Sequence, residues 1–180
     1  MKGMALAGSM LVAILLPIGT GPGVNAAGAA RSVRAAPTCR NTQLVVRAYT
    51  SQGAAGHIAI VYRIHNQRGL ACSLVGYPGV QLLNRRFHSL PTTVVRGPGN
   101  LVGAIPVRVI RLPAHGNAYF AMGYSDVPAG RPCQAPAYYL MVWAPNDYLP
   151  VVTAAVSHGS ITSCTGVINV SPVTAHPRYQ

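Results

Sequence analysis

The 180-residue chain carries thirteen arginines and a single lysine against two aspartates and no glutamate, a formal charge of +12 at pH 7. So few carboxylates exclude a calcium cage and leave glycoside hydrolysis by paired acids only Asp126 and Asp147 to work with. The charge predicts attraction to polyanions, although a chain rich in Ala, Gly, Pro, Val and Arg is also what GC-rich coding produces.

The first 26 residues have the layout of a secretory signal. Lys2 precedes an apolar run from Met4 to Ile18, and helix-breaking Gly19, Gly21, Pro22 and Gly23 follow. The run is short for a membrane span. Val24 and Ala26 supply the small residues that a peptidase reads, so residues 1–26 are expected to be removed after Ala26, with an uncleaved anchor as the alternative. The n-region has no arginine pair and no cysteine stands at the cut, which points to general export without a lipid anchor. A disordered leader is expected over 27–38, and residues 39–180, with no linker or internal repeat, read as one domain with no membrane span after cleavage.

Four cysteines, Cys39, Cys72, Cys133 and Cys164, fall into an early and a late pair. In an exported chain they read as two disulfides. Three connectivities are open. The preferred one, Cys39 with Cys72 and Cys133 with Cys164, closes two short loops, each worth on the order of 3 to 4 kcal/mol in the chain-entropy model. Metal binding is not expected: there is no C-x-x-C step, and His57, His65, His88, His115, His158 and His176 show no short ligand spacing. No cofactor is implied.

Along the remaining chain, apolar and polar residues alternate in short segments cut by Gly and Pro. Strands are expected at Gln43–Tyr49, Ile58–His65, Val80–Asn84, Val107–Leu112, Asn117–Tyr124, Ala137–Trp143 and Gly166–Val170, with a loop at Ser51–Gly56. The clearest is Ile58–His65, where Ile58, Ile60, Tyr62 and Ile64 share one face. Arg111 shares a face with Val107 and Val109, which suits an edge strand. Seven or eight such strands make an all-β, immunoglobulin-like two-sheet sandwich. Trp143 reads as core or an edge plug, and Pro78–Gly79 as the centre of a type II turn.

The stretch Cys72-Ser73-Leu74-Val75-Gly76-Tyr77-Pro78-Gly79-Val80 is the most specific in the chain. With Asn66 before it, the Leu112–Gly116 turn and the two later cysteines, it resembles the actinobacterial exported family called domain of unknown function 4232 (DUF4232), over roughly Cys39 to Val173. The resemblance implies a secreted or envelope-attached sandwich with paired cysteines and carries over no catalytic residue. Many members look like lipoproteins, whereas this chain, without a cysteine at the cut, would be released.

Catalytic constellations are thin. Gly123-Tyr124-Ser125-Asp126-Val127 begins like a nucleophile elbow but lacks its last glycine, and His158-Gly159-Ser160 reads as a turn. Nucleic-acid binding is not expected, because the arginines are scattered and no RNP-like strand appears. The favoured function is a non-catalytic binding or structural module facing an anionic envelope polymer or another envelope protein, with Arg85, Arg86, Arg108 and Arg111 as the ligand-binding set. The bland reading of Arg85-Arg86 is a hairpin tip. The alternative function is a secreted serine hydrolase using Ser125 or Ser160 with a histidine. It requires a serine hydroxyl in hydrogen-bond reach of an imidazole.

Overall fold

The computed structural model describes residues 36–130 and 132–179. The expected signal peptide and most of the leader lie outside the described residues. A 3-10 turn at Asn41–Gln43 leads into ten strands: β1 Leu44–Ala54, β2 His57–Asn66, β3 Cys72–Val75, β4 Gly79–Leu83, β5 Thr93–Arg96, β6 Val109–Leu112, β7 Asn117–Ser125, β8 Tyr139–Trp143, β9 Val151–Ala154 and β10 Val167–Val170. They form a five-stranded sheet in the order β1-β2-β7-β10-β5, a three-stranded sheet β4-β8-β9 and a two-stranded sheet β3-β6. The immunoglobulin-like, all-β sandwich read from the alternation is thus the fold.

Alternation builds its core. Leu44 and Val46 of β1, Ile60, Tyr62 and Ile64 of β2, Phe120 and Met122 of β7 and Ile168 and Val170 of β10 are buried together with Leu74, Val80, Leu82, Leu112, Leu140 and Val142 from the smaller sheets. Burying each such side chain is worth about 1.5 to 3 kcal/mol. Tyr62 stacks on Phe120 at 5.1 Å and donates its hydroxyl to the Ala155 carbonyl just beyond β9, tying one layer to the other. Burial raises the Tyr62 pKa well above the phenol range, so this donor stays protonated.

Cys39–Cys72 and Cys133–Cys164 are disulfides. The first sits beside two backbone bonds, Cys39 N–H to the Ser73 carbonyl at 2.9 Å and Ser73 N–H to the Pro37 carbonyl at 2.8 Å. Asn66 is fully buried. Its amide donates to the carbonyls of Leu70 (2.8 Å) and Pro113 (3.0 Å) and accepts from the Arg68 N–H, joining the loop before β3 to the Leu112–Gly116 turn. Two separate parts of the sequence motif are therefore one brace.

Three details differ from the sequence expectation. The Ser51–Gly56 loop is mostly strand: β1 runs to Ala54 and turns through Ala55 (φ 48°) and Gly56 (φ 77°) only. A Cβ on Gly56 would fall 1.9 Å from Val127 Cγ2, so only glycine fits. The four-residue strands β3, β5 and β9 are additional. Pro78–Gly79 is not a type II turn. The positive φ of that stretch belongs to Gly76 (102°), and Gly79 starts β4 opposite Trp143, where a Cβ would meet the ring at 3.3 Å.

Candidate anion-binding surface

The site begins with the register of the first hairpin. From the turn back to Thr50, each residue of β1 pairs as a two-residue turn dictates, with Ala54 opposite His57 and Thr50 opposite Val61. At Tyr49 an extra residue shifts the register, so that Ala48 faces Tyr62 and Arg47 faces Arg63. A one-residue shift exchanges the two faces of a strand. This bulge keeps Leu44 and Val46 in the core and sends Arg47 to the outer face, directly across from Arg63.

Like charges directly opposite each other destabilise a sheet. Here the pair stands in a hollow of about 240 Å³ lined by Val45, Arg47, Arg63, His65 and Gln67. Next along the same row, Arg63 pairs with Tyr119 of β7, and Tyr119 exchanges backbone bonds with Thr174 at 2.8 and 2.9 Å. His65 lies opposite Val45 and shares a 3.0 Å hydrogen bond with Asn117 Oδ1. The bulged Tyr49 is half exposed, its ring 5.4 Å from that of Tyr119 and 5.9 Å from the Arg63 guanidinium.

The centre of this outer face is covered. Val61, Ala121 and Val102 are buried together beneath Tyr119 and Tyr179. Further along, Asn169 Nδ2 donates to the Pro98 carbonyl, Asn100 Nδ2 to Asn169 Oδ1, and His57 Nδ1 lies 2.7 Å from Asn100 Oδ1. Because the Pro98 carbonyl can only accept, the chain runs one way and His57 Nδ1 is the donor. The C-terminal segment adds a second basic group: Arg108, His176 and Arg178 border a groove of about 240 Å³ with Ile105, Pro106 and Ile110 on its walls. Thr174 lines that groove and is also the residue paired with Tyr119. With strands about 4.8 Å apart, the row Arg47–Arg63–Tyr119–Thr174 spans about 14 Å.

The four arginines singled out from the sequence occupy separate places. Arg85 and Arg86 lie in the Asn84–His88 hairpin tip, where Asn84 Oδ1 accepts the N–H groups of Arg86 and His88. Arg85 lies 4.3 Å over the Tyr138 ring, and Phe87 stacks on Tyr139. Arg108 borders the C-terminal groove, whereas Arg111 faces Ser73 on β3, one residue out of phase with Ile110 in that groove. The groove lies by Val173, bonded to Gly76 before β4, while the tip lies beyond the other end of β4.

Ser125 donates to the Gly56 carbonyl at 3.1 Å and accepts the Val127 N–H at 3.3 Å, a turn role. His57 stands opposite it in register but is committed to Asn100. Among the described residues no serine hydroxyl hydrogen-bonds an imidazole, Ser160 included, and no group of three potential metal ligands occurs. None of the described helices is long and apolar enough to cross a membrane.

Sheet order, disulfides and buried braces define a cysteine-stapled β-sandwich module. The chain belongs to the family Domain of unknown function (DUF4232), whose model matches residues 39–174. No curated protein and no solved structure matches the chain.

Proposed function

We propose that the chain is an exported binding module, non-catalytic, that captures anionic polymers of the cell envelope on the outer face of its five-stranded sheet. The observation that carries this reading is the Arg47–Arg63 pair, two like charges set opposite each other by a bulge in a protein with only two carboxylates. One of those carboxylates is already engaged: Asp147 accepts the N–H groups of Asn41 (2.6 Å), Tyr148 (2.7 Å) and Leu149 (3.2 Å). A bridging anion would convert the repulsion into two charge-assisted hydrogen-bonding sites. Export is supported by the signal-like first 26 residues and by two disulfides, which are consistent with an extracellular protein. Arg85, Arg86, Arg108 and Arg111 add to the long-range attraction.

Retention on a heparin column tests the reading. Wild type should elute above 0.15 M salt, Arg47→Ser/Arg63→Ser distinctly earlier, and the quadruple Ser variant at 85, 86, 108 and 111 between them. If the double variant elutes with wild type, the paired arginines are not the site. Intact mass of the secreted protein should correspond to a chain starting at Ala27.

A further inference from the structure

Resting on that reading, we propose that the Tyr49 bulge is a saccharide subsite, so that the polymer is an acidic glycan and not a bare chain of charges. The bulge has two sides. Toward the outer face stand Arg47 and Arg63. Toward the sheet edge lies a hollow of about 480 Å³, lined by Tyr49, Thr50, Ser51, Ser157 and His158 over an apolar floor that includes Ile60. That volume falls within the roughly 300 to 1,000 Å³ of small-ligand sites.

The lining is the chemistry a sugar ring asks for. Hydroxyls and an imidazole both donate and accept hydrogen bonds, as sugar hydroxyls do, while an aromatic ring and the apolar floor meet the C–H faces of a pyranose. An inorganic polyphosphate has only acceptors and charge, and nothing in it matches the apolar floor. The turn register sets Ser51 opposite Ile60, and the shift at Tyr49 puts Arg47 on the other face, so the bulge brings the two halves side by side. Bulges next to functional sites are known devices for re-aiming side chains. Tyr49 joins the halves: its ring lies 5.9 Å from the Arg63 guanidinium, and the residue borders the hollow. A glycan with a carboxylate, sulfate or phosphate on one sugar would place that group between the guanidiniums and a neighbouring ring in the hollow.

The experiment titrates the secreted protein with three probes: a heparin octasaccharide, an inorganic polyphosphate of matching charge, and a neutral dextran octasaccharide. The heparin octasaccharide should bind about tenfold more tightly than polyphosphate at 0.15 M salt, a ratio within reach of one aromatic contact with its hydrogen bonds. The exposed His158→Ala should remove most of that preference while leaving polyphosphate binding unchanged, and Tyr49→Ser should independently remove most of it. Tyr49→Phe should keep it. Equal affinity for both anionic probes, or a preference that survives both hollow variants, would overturn the saccharide subsite and leave the polyanion reading standing. Binding of neither anionic probe would overturn both, and binding of dextran as tight as heparin would remove the arginines from the site.

Discussion

The sandwich has two open sides, and the chain finishes them differently. At one side β4 meets the segment that leads into β5: Gln81 donates to the Leu90 carbonyl (2.6 Å) and to Thr92 Oγ1 (2.9 Å), and Trp143 lies on Gly79, which lacks the Cβ that would push the ring away. At the other side β1 meets β9, and the bulge leaves Tyr49 half exposed between two arginines and a hollow. The first side satisfies its polar groups and seats Trp143 on Gly79, beside a hollow of about 490 Å³ bordered by Val80, Val94 and Arg96. The second keeps a hollow of similar size next to a like-charge pair, an arrangement that costs stability and is retained where function requires it.

The largest expected effect breaks the β4/β5 side. Trp143→Ala should lower stability by about 2 to 4 kcal/mol, the range for removing a large, partly buried aromatic, and leave heparin retention unchanged. Gly79→Ala should cost about 1 to 2 kcal/mol by pressing on the same ring. Both are read by urea unfolding. A loss of binding in either folded variant would move the site to this side.

The β1/β9 side has its own brace. Asn41, just ahead of β1, donates its N–H to Asp147 and its side-chain amide to the Leu149 carbonyl, both in the β8–β9 connection. The backbone N–H of Asn41 holds the Asp147 carboxyl below the ordinary carboxylate range, with lesser help from Leu149, Tyr148 and the charge of Arg40, against a smaller opposing effect of burial. A lowered folded-state pKa means that the stability it contributes is present above the unfolded value and is lost as pH falls through the folded one. Asp147→Asn should therefore lose stability at pH 7 and flatten the acid limb of a melting profile below about pH 4. An unchanged acid limb would show that this brace does not sense pH.

A smaller effect sits at the hairpin tip that sets the register. Ala55 holds φ 48° in a two-residue turn, a conformation that asparagine adopts more readily. Ala55→Asn should raise stability by about 0.5 to 1 kcal/mol without altering binding. A decrease would mean that the turn is not the relaxed partner of Gly56 that its geometry indicates.

The fold was legible because its long strands carry their large apolar side chains at every second position: Ile58–His65 and Asn117–Tyr124 lie inside β2 and β7, next to each other in the large sheet. The strands β3, β5 and β9 were not: each is only four residues long, and Thr93–Arg96 and Val151–Ala154 contain no buried residue to mark an inner face. The Arg47–Arg63 pair was hidden for a sharper reason. A plain two-residue turn at Ala55–Gly56 would put Arg47 opposite Ile64, on the core side, and only the extra residue at Tyr49 places it across from Arg63. A charged residue that an unbroken register would bury is the signal that could have revealed the bulge. Nearness in sequence favoured Arg85 and Arg86 instead, which one turn places together at a tip while Arg85 packs on Tyr138.

The most direct measurement is the melting temperature of wild type and Arg47→Ser/Arg63→Ser, each with and without heparin octasaccharide, at low salt and at 0.15 M. Removing the like-charge pair should raise the ligand-free stability by about 0.2 to 1 kcal/mol at low salt, less as salt screens it. Ligand should raise the melting temperature of wild type and not that of the variant. A variant that is no more stable than wild type and still shows the full ligand-induced rise would contradict the account.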